Sequence, residues 1–152
     1  MIRVLIVDEQ NEVRKGLRMR LSIEPDMTVV GEAGHVEEAL ALAQTLTPTV
    51  IVVDIEMRDA DGVNIVERLR AAAPTAAVVV LILRSDETTR TRAQQAGAAA
   101  FLEKSGGAAD LLQAIRQVGA CRFAQLGSAD WPVGNVTAKR GPSLERKSDT
   151  RV

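Results

Sequence analysis

Residues 50–62 read VIVVDIEMRDADG, and this stretch constrains the fold more than any other. Val50, Ile51, Val52 and Val53 are β-branched and consecutive, so a strand built from them is apolar on both faces. Such a strand is stable only at the centre of a sheet covered by helices on each side. It runs directly into an acid, Asp54, and then into a polar turn closed by Asp61 and Gly62. Open α/β sheets bind their ligands in the crevice outside the carboxyl ends of the strands, which makes Asp54 a candidate reactive group.

The rest of the chain supplies what such a strand needs. Apolar runs at Ile2–Val7, Met27–Val30, Ala77–Leu83 and Ala99–Leu102 read as further strands. Between them lie segments of helical period: Val13, Leu17 and Leu21 after Asn11; Val36–Leu46; Val63–Ala72; Asp86–Ala96; and Ala108–Val118. Gly31 to Gly34 reads as a loop. Five strands alternating with five helices predict an α/β fold with a doubly wound, five-stranded parallel sheet over residues 1–119. Residues 120–152 have no sustained period and are rich in Gly, Ser, Pro and charge, so they are expected to form a disordered tail with no effector domain, Phe123, Leu126 and Trp131 at most docking locally.

Charge and cysteine content narrow the function classes. The formal net charge is −1, with −4 over residues 1–120 and +3 over residues 121–152, so the folded part lacks the basic face of a nucleic-acid-binding domain. Direct DNA binding by this chain is therefore not expected. The single Cys121 excludes an internal disulfide and fits a reducing compartment. No apolar run approaches the roughly 18 residues of a membrane span. The protein is expected in the cytoplasm and away from membranes.

The strand ends carry the chemistry. In a parallel sheet, Asp8-Glu9, Asp54, Ile82-Leu83 and Lys104 share one edge, which gathers three carboxylates and one ammonium. Clustered carboxylates repel unless a cation joins them, and Mg²⁺ suits a site with few protein ligands because it keeps several waters. With a metal and a lysine to neutralise charge, Asp54 can act as a nucleophile toward a phosphoryl group. Each residue also has a plainer reading: strand-end acids form turns and caps, Lys104 can be a solvated surface residue, Phe101 can be simple core, and His35 can be solvated or cap a helix.

The motifs IRVLIVDEQ (2–10), VVDIEMRDADG (52–62) and AGAAAFLEK (96–104) together resemble a two-component response regulator receiver domain. EPDMTVVGEAG (24–34) and DIEM resemble the receiver half of NarL/LuxR-type regulators, without their C-terminal helix-turn-helix. The resemblance implies a flavodoxin-like sheet of order 2-1-3-4-5. It implies that Asp54 accepts a phosphoryl group from a sensor histidine kinase, and that Asp8, Glu9, Asp54 and the backbone carbonyl of Glu56 hold Mg²⁺. Lys104 would pair with the phosphate, and Phe101 would stand at the aromatic switch position. Signalling would follow by conformational change or homodimerisation. Enzymatic activity beyond self-phosphorylation and slow autodephosphorylation is not expected.

Three departures stand out. Ile82 occupies the position where the family carries Ser or Thr, and Ser85 would replace it only with a loop shifted by three residues. Glu9 replaces the more usual second Asp, and Arg58 stands where Pro normally follows Met57. Two readings therefore stay open: a phosphorylatable receiver, and a degenerate one that acts as an interaction module independent of phosphorylation. A hydrolase with an aspartate nucleophile ranks third, because Glu56 has the general-acid offset but no Thr follows it and no substrate cap is present.

Overall fold

The computed structural model describes residues 1–84 and 86–120, so the expectations for Ser85 and for the tail after Ala120 lie outside the described residues. Among the described residues there are five strands: β1 (Ile2–Val7), β2 (Met27–Ala33), β3 (Val50–Asp54), β4 (Ala77–Ile82) and β5 (Ala100–Glu103). Five helices alternate with them: α1 (Asn11–Ser22), α2 (Val36–Leu46), α3 (Asn64–Ala72), α4 (Glu87–Ala96) and α5 (Ala108–Ala120). All strand pairings are parallel and the order is β2-β1-β3-β4-β5, as expected.

The period-2 alternation of each strand divides the core in two. Leu5, Val7, Ile51, Val53, Val78 and Val80 point to one face, where they meet Val36, Val66, Leu69 and Ala93 from α2, α3 and α4. Val4, Ile6, Val50, Val52, Val79 and Leu81 point to the other, against Leu21 of α1 and Leu111, Ile115 and Val118 of α5. Every residue of β3 is buried, which is the condition its four β-branched residues demand. Complete burial of one such side chain contributes about 1.5–3 kcal/mol. With almost no aromatic residues in the folded part, core volume comes from Val, Leu, Ile and Ala.

Two local features differ from the sequence reading. β2 continues through Gly31 to Ala33 instead of ending at Val30, with a register shift opposite Val4 and Leu5. Gly31 lies within the strand and not in a loop, and a Cβ there would lie 2.7 Å from Leu46 Cδ1, a side-chain tip of α2 that would have to shift. After β5, residues Lys104–Gly106 form a 3-10 turn. That turn converts the strand end into a fixed platform for Lys104.

Register then sets the site. Val7 pairs with Val53, Asp54 with Leu81 and Ile82 with Glu103, so the residues that follow β1, β3, β4 and β5 emerge along one edge. Among the described residues, no helix is long and apolar enough to cross a membrane.

Candidate functional site at the carboxyl edge of the sheet

Asp8 and Asp54 are buried to 1% and 4% exposure, and among the described residues they are the two buried residues that carry charge. Burial of this kind requires compensation. Lys104 reaches across from the 3-10 turn and places Nζ 3.1 Å from Asp8 Oδ2 and 3.1 Å from Asp54 Oδ2. The contact to Asp54 is a directed hydrogen bond. Asp8 Oδ2 is a buried oxygen that meets the same ammonium as an ion pair.

The remaining oxygens are fixed by the main chain. Gln10 N–H donates to Asp8 Oδ1 at 2.9 Å, and Glu56 N–H donates to Asp54 Oδ1 at 2.8 Å. Both are bonds to the residue two ahead, which lock each carboxylate against its own turn. Burial pushes the Asp8 carboxyl above the ordinary value of 3.8. The Gln10 N–H opposes that rise, the Asp54 charge adds to it, and Lys104 works against it. Partial burial weakens the Lys104 ammonium, but its hydrogen bond to Asp54 and the charges of Asp54 and Asp8 outweigh that and hold its pKa above 10.5.

Two carboxylates sharing one ammonium leave one negative charge uncompensated at the sheet edge. A hard divalent cation fits that donor set. Asp8 and Asp54 present buried carboxylate oxygens that share a single ammonium, and Mg²⁺ requires only one or two carboxylates because water and phosphate oxygens complete its shell. No group of three or more His, Cys, Asp or Glu converges for a metal among the described residues.

Glu9 is the reason. Its Oε1 accepts the Arg58 main-chain N–H at 2.7 Å, and its Oε2 lies 3.3 Å from Arg58 Nε. Glu56 also has an assignment that the sequence did not suggest. Its carboxylate accepts the Leu83 N–H at 2.8 Å, tying the loop after β3 to the end of β4. A group so engaged is not poised as a general acid, which weighs against the hydrolase reading.

Ile82 is buried at 5% and packs in the same core cluster as Phe101, which is fully buried. Arg90 of α4 stands 6.0 Å from the Phe101 ring centroid, at the outer limit of a cation–π contact. The structure thus brings Asp8, Asp54 and Lys104 together. It places Ile82 and Phe101 in the core behind them and turns Glu9 aside.

Two supporting residues had no sequence signal. Arg14 on α1 donates to the Asp8 carbonyl oxygen and to Asn11 Oδ1, and its Nε lies 3.4 Å from Glu32. It fixes the β1–α1 turn from behind. Asp59 Oδ2 accepts the Val36 N–H at 2.9 Å and so caps α2 from 23 residues away. His35, at the N-cap position itself, makes no side-chain cap bond.

A pH dependence follows from Asp8. Between 3.8 and its raised folded value, the folded state holds more of this proton than the unfolded chain, so stability falls as pH rises through that window. Asp8→Asn removes the burdened charge. In metal-free protein it is expected to raise the melting temperature by a few degrees at pH 7, with the gain shrinking as pH is lowered toward 4. Thermal melts of both proteins in a chelator across that range measure it, and a lower melting temperature for Asp8→Asn at pH 7 would contradict the account.

Comparison with known proteins agrees with this geometry. Residues 4–116 match the response regulator receiver domain family. The response regulator GacA of Pseudomonas aeruginosa is 38% identical over 118 residues, covering 78% of this chain and 55% of GacA. The nitrate/nitrite response regulator NarL of Escherichia coli is 32% identical over 117 residues, covering 77% and 54%. The chain spans about half the length of these relatives. Among solved structures, the response regulator domain of Thermotoga maritima CheB superposes with a TM-score of 0.73 at 33% identity, covering 79% of this chain and 97% of that one. A LuxR-family response regulator from Aurantimonas gives 0.76 at 27% identity, covering 92% and 98%. The chain belongs to the response regulator receiver domain family of two-component signalling proteins.

Proposed function

We propose that this receiver accepts a phosphoryl group on Asp54 from a sensor histidine kinase, with Mg²⁺ bound by Asp8, Asp54 and the Glu56 backbone carbonyl, and with Glu9 joining through its carboxylate. The receiver domain occupies residues 1–119. The observation that carries the reading is the buried trio itself, in which Lys104 sits 3.1 Å from both Asp8 and Asp54. A structural ion pair needs one carboxylate for one ammonium. The second buried carboxylate leaves a charge that the fold does not neutralise, and such uncompensated burial marks functional sites.

The chain's own groups divide the work. The Glu56 N–H holds Asp54 Oδ1, which fixes the plane of the nucleophile. Attack on phosphorus forms one P–O bond to Asp54 as the bond to the donor breaks, and the leaving group departs with that electron pair. Lys104 is placed to follow the charge from the carboxylate to the new phosphoryl oxygens. When bound, Mg²⁺ supplies positive charge to the phosphoryl oxygens and orients them. Asp8 would hold the cation, whose charge would offset the burial of its carboxylate.

The output step is the unusual part. Ile82 offers no hydroxyl to a phosphoryl oxygen, so movement of the loop after β4 must run through another contact. Glu56 provides one, since its carboxylate holds the Leu83 N–H while its own N–H holds Asp54. This favours a phosphorylatable receiver with altered coupling over a site that has lost its chemistry.

Incubation with a small phosphodonor and Mg²⁺ is expected to add roughly 80 Da to the wild-type mass, the mass of one phosphoryl group, and nothing to Asp54→Asn. A wild-type mass that stays unchanged would end the phosphorylation reading. Ile82→Thr is expected to strengthen phosphorylation-dependent dimerisation measured by sedimentation. Unchanged dimerisation would show that residue 82 is not where coupling is impaired.

A further inference from the structure

Two of the departures from the family pattern are physically one. Proline has no main-chain N–H, so a receiver with Pro after the Met at position 57 has no donor there. Arg58 has one, and Glu9 Oε1 takes it at 2.7 Å across 49 residues of sequence. The guanidinium Nε then sits 3.3 Å from the other carboxylate oxygen. Both oxygens of Glu9 are thereby held by a single residue of the β3–α3 loop. The longer side chain of Glu is what spans the distance from the β1 end to that loop.

The consequence lies at the cation site. Asp8 and Asp54 converge on Lys104, yet among the described residues no third acid converges with them, although Glu9 is the neighbour of Asp8 in sequence. Instead the Glu9–Arg58 pair lines a polar cleft of about 280 Å³ together with Arg14, His35 and Asp59. The Arg58 side chain is 91% exposed and that of Glu9 29%, so the pair opens to solvent without exposing core. We propose that Arg58 is a latch on Glu9. Its main-chain N–H and guanidinium draw the carboxylate away from Asp8 and Asp54, and a divalent cation must share or release it to gain its third acidic partner. Residue 58 therefore sets the Mg²⁺ affinity of this receiver, acting as a positioning residue through Glu9.

The proposal rests on the metal-assisted receiver reading above, and the test separates the two. Mg²⁺ binding to the full chain is measured by calorimetry at pH 7, without any phosphodonor, for the wild type, Arg58→Ala, Arg58→Pro, Glu9→Ala and the Glu9→Ala/Arg58→Ala double variant. Arg58→Ala keeps the N–H and removes an exposed ion pair, so Mg²⁺ is expected to bind roughly two- to fivefold more tightly. Arg58→Pro removes the main-chain donor as well, and the gain is expected to reach about tenfold. Glu9→Ala weakens binding, and in its background Arg58→Ala has no further effect.

Three results would overturn the latch. Equal tightening by Arg58→Ala with and without Glu9 would mean that the guanidinium acts only as a distant charge on the cation. Unchanged or weaker binding in Arg58→Ala, with the wild type binding normally, would remove the latch and leave the receiver reading standing. Absence of Mg²⁺ binding in the wild type and all variants would overturn the metal site and the latch together.

Discussion

Two carboxylates and one ammonium, all drawn from different strand ends and largely removed from water, are the interaction around which this molecule is arranged. Bringing Asp8 and Asp54 within reach of one Lys104 is costly. Each charge loses hydration, and the carboxylates repel each other in a medium that screens poorly. The apolar sheet meets that cost. β1 and β3 are continuous in the core on both faces, and their pairing of Val7 with Val53 leaves the following acids no other place to go. The same rigidity lets the site wait with an unneutralised charge. A less constrained edge would splay the acids apart or draw in a second lysine.

Most of this was legible in the sequence, for identifiable reasons. Unbroken β-branched runs such as Val50–Val53 report burial on both faces, and a parallel sheet then forces residues at strand ends onto one edge, so Asp8, Asp54 and Lys104 could be associated before any geometry was known. What could not be read were contacts that depend on where a side chain swings. Asp59 capping α2, Arg14 gripping the Asp8 carbonyl and Glu56 holding Leu83 link positions whose separation follows no helical or strand period. Gly31 misled because a glycine inside a strand, packed against the Leu46 side chain, has the same letter as a glycine required by a turn.

Glu9 shows the limit most clearly. Sequence adjacency to Asp8 suggested a metal pair, but it gave no sign of the contact that Glu9 makes with the loop after β3. Its partner Arg58 was visible as an oddity, and the oddity had a physical meaning in the main-chain N–H that proline lacks. Ile82 belongs to the same group. Its loss of a hydroxyl was plain, whereas the Glu56 carboxylate bridging the same two loops was not. Around these positions the loops are tied by the Glu56 carboxylate on Leu83 N–H and by Glu9 on Arg58 N–H.

Beryllium fluoride, a tetrahedral phosphoryl mimic in the presence of a receiver carboxylate, tests the central claim in a single titration followed by backbone amide NMR. With Mg²⁺ present, the amides of Glu9, Glu56, Leu83 and Lys104 should shift and saturate together, since they belong to the four strand ends that frame Asp54. Without Mg²⁺, or with Asp54→Asn, the spectrum should stay as it was. Saturating shifts that arise without Mg²⁺, or a wild-type spectrum that does not respond at all, would contradict the assignment of this edge as a cation-dependent phosphoryl site.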